Sequence, residues 1–118
     1  MARIPNGNRA VVDQAKLSEY VLNLNHRTGR HKARVFAAAL GLMAGDAPVL
    51  AEALLSAAAG KDADLERDDT YGVHYAIEFV MMFKGKSRPL RSLWTVRSGE
   101  DFPRFVSVFV MAEDESHD

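Results

Sequence analysis

YGVHYAIEFVMMF, residues 71–83, is the stretch that decides the fold class of this chain. Large apolar side chains occupy every second position, and most positions between them hold smaller or polar residues such as His74 and Glu78. A period of two places successive side chains on opposite faces of a β-strand. The segment KGKS that follows, residues 84–87, is typical of a hairpin turn, so a second strand is predicted beyond it.

Two further strands are predicted downstream of that turn. The first alternates two sets of side chains, Leu90, Ser92, Trp94 and Val96 on one face and Arg91, Leu93, Thr95 and Arg97 on the other. The second runs from Phe105 to Met111, and both of its alternating sets are apolar, which favours a central strand buried on two faces. Trp94 is expected in the core, because aromatic residues at strand spacing pack there more often than they stack on bases.

Helical spacing dominates the residues ahead of the predicted sheet. Apolar residues recur at intervals of three and four, which predicts three helices, over residues 13–23, 28–41 and 46–60. The charged stretch 61–69 is predicted to be a solvated loop. The expected fold class is therefore α+β, with about three N-terminal helices packed on one face of an antiparallel sheet of three or four strands.

A chain of 118 residues has room for one hydrophobic core. We therefore expect a single domain over residues 1–112, followed by an acidic, disordered tail over residues 113–118. Hydrophobic residues at 47% and charged residues at 26% are typical of a globular protein. No apolar run is long enough to cross a membrane and no secretory signal opens the sequence, so a cytoplasmic location without membrane contact is expected.

The residue types exclude several classes of site. The chain has no cysteine, which excludes disulfides, a thiolate nucleophile and cysteine-ligated metal centres. The GxSxG, GxGxxG and Walker A patterns of common hydrolases, dinucleotide-binding proteins and NTPases are absent. The histidines have neither the spacing nor the acidic neighbours of a metal site, so neither a metal nor another cofactor is expected.

The formal net charge of −1 hides a segregated pattern. Residues 1–45 carry a net charge of +5, residues 46–70 carry −5, residues 71–112 carry +3, and the last six residues carry −4. If the two basic segments meet on one face, they would bind an anion such as nucleic acid despite the neutral total. The alternative is that these charges belong to ordinary solvated faces.

The densest polar cluster is HRTGRHKAR, residues 26–34, where the second helix is predicted to begin. Histidine titrates near neutral pH and is suited to general acid–base catalysis, and the exposed N–H groups of a helix start favour phosphate. The candidate catalytic residues here are His26, His31 and Lys32, and the candidate substrate contacts are Arg30 and Arg34. The alternative is that this cluster is only the exposed side of an amphipathic helix.

A second candidate cluster lies on the predicted strands. His74 is a candidate catalytic residue on one face of the first strand. The candidate substrate contacts are Arg91, Thr95 and Arg97 on one face of the next strand, together with Arg104 at the start of the third. An arginine-rich sheet face would hold a phosphodiester and stabilise the charge that develops during its cleavage. The alternative is a solvent-facing strand whose polar residues serve solubility only.

The stretches RAVVD (9–13) and GRHKARVF (29–36), with an Asn-x-x-His loop between them, resemble a family of small bacterial domains of unknown function. The resemblance covers about residues 5–111, and Leu24 and Arg27 stand where that family usually has prolines. The order of helices followed by an antiparallel sheet is also similar to the barnase, colicin and RelE group of metal-independent ribonuclease toxins. That similarity implies a site of His, Lys or Arg and a hydroxyl around the scissile phosphate, which by position points to His26, His31, Lys32, Arg34, His74, Thr95 and Arg97.

Three functions are open on the sequence alone. The first is a toxin-like, metal-independent ribonuclease in which a histidine takes the 2′-hydroxyl proton and Lys32 and arginines stabilise the phosphorane. Its partners would be RNA and a small antitoxin or immunity-like protein. The second is a non-catalytic interaction module that binds an acidic partner through the basic helix or an exposed sheet edge, and the third is a small-molecule anion binder. The sequence pI of about 6.4 counts against the first, because a ribonuclease of this size is expected to be basic.

Overall fold

Five antiparallel strands form one sheet in the computed structural model, which describes residues 2–112. The strands cross the sheet in chain order, β1 (Ala2–Arg3), β2 (Asp62–Asp69), β3 (Gly72–Phe83), β4 (Lys86–Arg97) and β5 (Pro103–Val110). Between β1 and β2 the chain forms α1 (Gln14–Lys16), which continues as a π-helical turn (Leu17–Val21), then α2 (Arg30–Leu40) and α3 (Ala47–Gly60). The α+β fold class is confirmed.

The core lies between the helices and one face of the sheet. On β3 the side chains of Ile77, Phe79 and Met81 are buried, as the period of two predicts, whereas Glu78 and Val80 between them are exposed. Trp94 of β4 is fully buried, as expected. The helices supply the other side of the same cluster with Leu17, Val21, Phe36, Leu40, Leu50 and Leu54. Burial of this apolar surface is the main force that holds the helices on the sheet.

The predicted helices differ in how well they agree with the structure. α3 and the end of α2 are confirmed, because α2 stops at Gly41 in the left-handed conformation and α3 has Pro48 in its first turn. The first helix is shorter than predicted. The side chain of Asn23 donates to the carbonyl of Glu19 and accepts from the N–H of Asn25, and these bonds replace the helical ones that would continue it.

The segment predicted as a charged loop is in fact the strand β2. Its backbone pairs with β3 from Asp64 opposite Ala76 to Asp69 opposite Gly72, and its first residues pair with β1. Charged side chains on both faces hide the period of two, because this strand is held by backbone hydrogen bonds rather than by burial. With β1 and β2 included, the sheet has five strands instead of three or four, and β1 precedes the helices.

β5 lies at one edge of the sheet, and the prediction of a central strand is wrong. Beyond it, the part of the chain that the structure describes adds only the isolated bridge at Val11. Val106 and Phe109 on its far face are more than a third exposed, whereas Phe105 and Val108 are buried. The second apolar set of this strand therefore lies on a partly exposed face of the sheet.

The turn between β2 and β3 depends on Gly72. Its φ of +146° is a conformation that side-chain-bearing residues rarely adopt, and a Cβ placed there would lie 2.1 Å from the carbonyl oxygen of Val96. The glycine thus lets the turn pass close to β4 and sets the position of Asp69, which precedes the turn.

No single helix among residues 2–112 is long and apolar enough to cross a membrane. α2 and α3 meet the length and composition of a span only when they are counted together across a bend of 74°. The predicted acidic tail, residues 113–118, lies outside the described residues.

Candidate functional site

Residues of three strands form a polar cluster on the sheet face that is turned away from the helices, hereafter the outer face. His74 and Thr95 are directly opposite each other on β3 and β4, and Nδ1 of His74 lies 2.8 Å from Oγ1 of Thr95. Nε2 of His74 lies 3.0 Å from Oδ1 of Asp69, the last residue of β2. Tyr75 and Trp94, the neighbours along each strand, pack in or against the core, so His74 and Thr95 point to the outer face.

The hydrogen bonds assign the protons of the His74 ring. An ionised carboxylate only accepts hydrogen bonds, so Nε2 of His74 donates to Asp69 and, in the neutral ring, Nδ1 accepts from the Thr95 hydroxyl. Hydrogen bonds from Arg67 first and from His74 second hold the pKa of Asp69 well below its usual range. The result is a hydroxyl–imidazole–carboxylate chain in which Nδ1 can accept a proton and Asp69 can stabilise the imidazolium that forms.

A small pocket of about 110 Å³ opens beside this cluster. His74 and Thr95 line it together with Glu66, Arg67, Tyr75, Leu93, Trp94 and Val106. The side chain of His74 is 16% exposed, so solvent and small groups reach it. Beneath the pocket, Nε1 of Trp94 donates to Oγ of Ser92 at 2.9 Å, and that hydroxyl donates to the carbonyl of Ile77 at 2.8 Å. These buried bonds fix the part of β4 that carries Thr95.

The predicted arginines of the outer face are largely matched by carboxylates. Arg91 forms ion pairs with Glu66 and Glu78. Arg104 binds Glu100 through two hydrogen bonds of 2.8 and 2.9 Å, a bidentate geometry that raises the pKa of the Arg104 guanidinium. The third, Arg97, is exposed at the end of β4. The face therefore carries much less free positive charge than its arginines alone suggest.

The side chain of His26 contacts the turn that leads into α2 and the ring of Tyr20. Its Nδ1 accepts hydrogen bonds from the backbone N–H groups of Thr28 at 3.1 Å and Gly29 at 2.9 Å, and its ring packs edge-on against Tyr20. These bonds satisfy two backbone N–H groups of the turn that leads into α2. The side chain of Arg30, also near this turn, donates to the backbone carbonyl of Arg27.

The other α2 candidates lie at the surface of the helix and at the edge of the sheet. His31 and Arg34 are exposed. Lys32 is half-buried, and its Nζ donates to Oγ of Ser107 on β5 at 2.7 Å. Burial, and next the positive charge of Lys16, lower the pKa of Lys32 from its ordinary value. His31 and Arg34 are thus placed to contact a partner, while Lys32 joins α2 to β5.

The comparison with known protein families gives one match, and it extends over residues 3–112. The matching family is described as a domain of unknown function, DUF6883. The chain belongs to the DUF6883 family. The resemblance to a small domain of unknown function is thus confirmed over the whole described fold. No curated protein matches the sequence significantly.

The fold of this DUF6883 domain is shared with a chain in a solved structure, a contact-dependent growth inhibition toxin–immunity protein complex from Klebsiella pneumoniae 342. The two chains superimpose with a TM-score of 0.66 and are 21% identical, over 86% of this chain and 99% of the other. At this level of identity the similarity shows a common fold and no shared function.

The structure divides the predicted site residues of the DUF6883 domain into two groups. His74, Arg91, Thr95, Arg97 and Arg104 belong to the strands that form the outer face, whereas His26, Arg30, His31, Lys32 and Arg34 belong to α2 and the loop before it. Phe36 and Leu40 pack α2 onto the core on the other side of the sheet, and of this second group Lys32 reaches the edge strand β5, where it bonds Ser107. Among residues 2–112, no three His, Cys, Asp or Glu side chains are grouped to hold a metal ion.

Sequence reasoning missed three residues of the outer-face cluster, Glu66, Arg67 and Asp69. All three lie on β2, which the sequence predicts as a solvated loop. The available signal was the spacing of Asp69 and His74, which flank a short turn that ends at a glycine. A strand assigned to residues 62–69 would have placed this carboxylate beside the histidine.

Proposed function

We propose that this DUF6883 domain is a toxin-like ribonuclease that uses His74 as its general base. The observation that supports the proposal is the position of His74 between the hydroxyl of Thr95, at 2.8 Å, and the carboxylate of Asp69, at 3.0 Å, beside an open pocket. A ring held in this way has one nitrogen fixed by a carboxylate and the other available for proton transfer. The fold shared with a chain of a toxin–immunity complex supports, by analogy, a role in a system of that kind.

The proposed reaction is cleavage of a phosphodiester by the neighbouring 2′-hydroxyl. Nδ1 of His74 takes the 2′-hydroxyl proton once the Thr95 hydroxyl has turned from the ring to a phosphate oxygen. The 2′-oxygen forms a bond to phosphorus, the bond from phosphorus to the 5′-oxygen breaks, and water supplies the proton for that oxygen. The products are a 2′,3′-cyclic phosphate and a 5′-hydroxyl end. Asp69 stabilises the imidazolium until the ring returns its proton to solvent.

Two arginines are assigned to the charge of the phosphorane. Arg67 lines the pocket and bonds Asp69 through its Nε, so its terminal guanidinium nitrogens are the donors assigned to phosphate. Arg97 follows Thr95 by two positions on the same face of β4. A guanidinium offers paired N–H donors that fit phosphate oxygens. Lys32 is not assigned to this step, because its Nζ is already bonded to Oγ of Ser107 on the edge strand β5.

The test is cleavage of total bacterial RNA by the purified chain in the presence of EDTA, which silences contaminating metal-dependent nucleases. We expect His74→Ala to lower the cleavage rate by about 100-fold or more, the usual contribution of a general base. His31→Ala is the matched control, since His31 is an exposed histidine of α2 and lies outside the outer-face cluster. The wild-type products should carry 2′,3′-cyclic phosphate ends.

Two outcomes would contradict the proposal. If folded wild-type protein leaves RNA intact at high concentration, the ribonuclease activity is refuted. If RNA is cut but His31→Ala abolishes cleavage and His74→Ala does not, the site lies on α2. Far-UV circular dichroism of both variants ensures that a loss of activity is not a loss of fold.

A second candidate function is binding of an acidic partner through α2. Residues 20–45 contain no aspartate or glutamate, and His31 and Arg34 are exposed within them. An exposed basic surface of this kind favours salt-sensitive association without turnover. Poly-aspartate is a suitable probe, and Arg34→Glu should weaken its binding more than Arg97→Glu on the outer face. Equal effects of the two variants would exclude α2 as the specific surface.

A further inference from the structure

Half of β3 has no strand beside it on one side. The ladder between β2 and β3 ends where Asp64 faces Ala76, and the earlier residues of β2 pair with β1 instead. From Ile77 to Phe83 the described chain therefore leaves one edge of β3 open, hereafter the β3 edge. The edge contains no proline, no lysine and no bulge, three of the features that usually block strand addition.

The backbone groups of the β3 edge can be assigned from the neighbouring ladder. Pro89 of β4 accepts a hydrogen bond from the N–H of Met111 on the β5 side, and Pro89 lies opposite Val80. In an antiparallel pair, opposite residues exchange both hydrogen bonds or neither. Because the carbonyl of Pro89 points to β5, Pro89 and Val80 exchange neither. Val80 therefore turns its N–H and C=O away from β4, and the same holds two residues away for Glu78 and Met82. Three residues thus present a full set of donors and acceptors at the open edge.

An apolar groove accompanies the β3 edge. It has a volume of about 560 Å³ and lies between α3 and β3, with Val49, Ala53 and Ala57 on one side and Phe79 and Met81 on the other. The small alanine side chains of α3 leave the space that a larger residue would fill. On the outer side of the same edge, Val80 is 59% exposed and Met82 is 78% exposed. A strand added here would place alternate side chains in the groove and over these two residues.

We propose that the β3 edge binds an extended strand of a partner protein, with alternating apolar residues at its centre and acidic residues at its ends. The charges around the edge support this choice. Lys61 lines the groove where β2 diverges from β3, and Lys84 lies at the opposite end, in the hairpin turn. The groove is also lined by one acidic residue, Glu52 of α3, and Glu78 at the edge is already bound to Arg91. A second copy of this chain would bring the same lysines and is the less suited occupant.

The proposal does not rest on the ribonuclease activity, since no residue of the β3 edge belongs to the His74 cluster. The probe is a synthetic peptide of about nine residues, with alternating valine and threonine at its centre and two aspartates at each end. Binding is measured by fluorescence anisotropy against wild type, Val80→Pro and Leu55→Lys. Proline at Val80 removes only the N–H that points to the open edge, which a strand edge tolerates. Leu55 is an exposed residue of α3 that does not line the groove.

We expect Val80→Pro to weaken peptide binding by about tenfold or more and Leu55→Lys to change it by less than about twofold. Replacing the four aspartates of the peptide by lysines should weaken binding by a similar factor. Hydrogen exchange gives a residue-level signature, because the amides of Glu78, Val80 and Met82 should become protected by the peptide. The amides of Ile77 and Phe79 are already bonded to β4 and should not change.

Three results would overturn the proposal. The first is equal binding of the peptide to wild type and Val80→Pro, and the second is no binding at a peptide concentration of about 1 mM. The third is a wild-type dimer, detected by light scattering, that Val80→Pro converts to a monomer, because a second copy would then occupy the edge. If Val80→Pro fails to fold, Val80→Lys tests the same surface through its exposed side chain.

Discussion

The buried bond between Trp94 and Ser92 predicts a specific non-additivity in stability. Ser92 is fully buried, and its hydroxyl accepts from Nε1 of Trp94 at 2.9 Å. Ser92→Ala leaves that N–H without an acceptor in the core, which costs about 1–3 kcal/mol. The carbonyl of Ile77, which the hydroxyl also contacts, keeps its ladder bond to β4 and adds little to the cost. We expect a loss of about 2 kcal/mol, or about 8 °C in Tm.

A double-mutant cycle with Ser92→Ala and Trp94→Phe isolates the contribution of the hydrogen bond between these two side chains. In the Trp94→Phe background the indole N–H is gone, so Ser92→Ala should cost about 0.5 kcal/mol or less. Because Trp94 is the one tryptophan of the chain, unfolding in urea is followed by far-UV circular dichroism rather than by fluorescence. Ser87→Ala is the control, since Ser87 is an exposed serine on the same strand.

Either of two results would refute this reasoning. One is a loss below about 0.5 kcal/mol for Ser92→Ala in the wild-type background, which would mean that the indole N–H is satisfied without it. The other is an equal cost in both backgrounds, which would mean that Ser92 acts through packing alone. A cost of about 2 kcal/mol in the wild-type background that disappears in Trp94→Phe would show that the hydrogen bond between Trp94 and Ser92 stabilises the part of β4 that carries Thr95.

Three further predictions concern the elements that position the site. Gly72→Ala should lower stability by about 1–3 kcal/mol, measured by urea unfolding, because its Cβ would meet the carbonyl of Val96. His26→Ala should cost about 1 kcal/mol through the hydrogen bonds lost in the turn before α2, whereas His26→Asn should restore part of it. Arg67→Ala should raise the pKa of Asp69 in an NMR titration. Since that pKa is depressed in the folded state, the carboxylate stabilises the fold above about pH 4 and loses this effect as pH falls through the lowered pKa, so the variant should lose it at a higher pH.

The core of this fold could be predicted because its strands follow apolar periodicity. The alternation around Ile77 and Trp94, and the glycine that ends α2, depend on local patterns that a single sequence displays. β2 could not be predicted in this way. Its side chains are charged on both faces, and it is a strand only because β3 offers hydrogen-bonding groups that lie several residues away in the sequence.

The same limit explains which part of the candidate site could be predicted. His74 and Thr95 stand on regular strands, so their shared face follows from alternation once the hairpin is placed. Asp69 and Arg67 depend on β2 and were therefore missed. The sequence also could not show whether His31 lies near the strand residues, because residue types alone do not show on which side of a sheet a helix packs.

The separation of the two groups also decides which surface is able to control the proposed site. A partner on the exposed side of α2 binds on the helix side of the sheet, whereas His74 opens to the outer face. A partner strand on the β3 edge lies in the sheet itself. Val80 is six residues along β3 from His74, a distance of about 20 Å at the rise of a strand. A domain attached to that strand would cover the pocket if it extended over the outer face by this distance, so occupation of the β3 edge is an arrangement able to block the pocket.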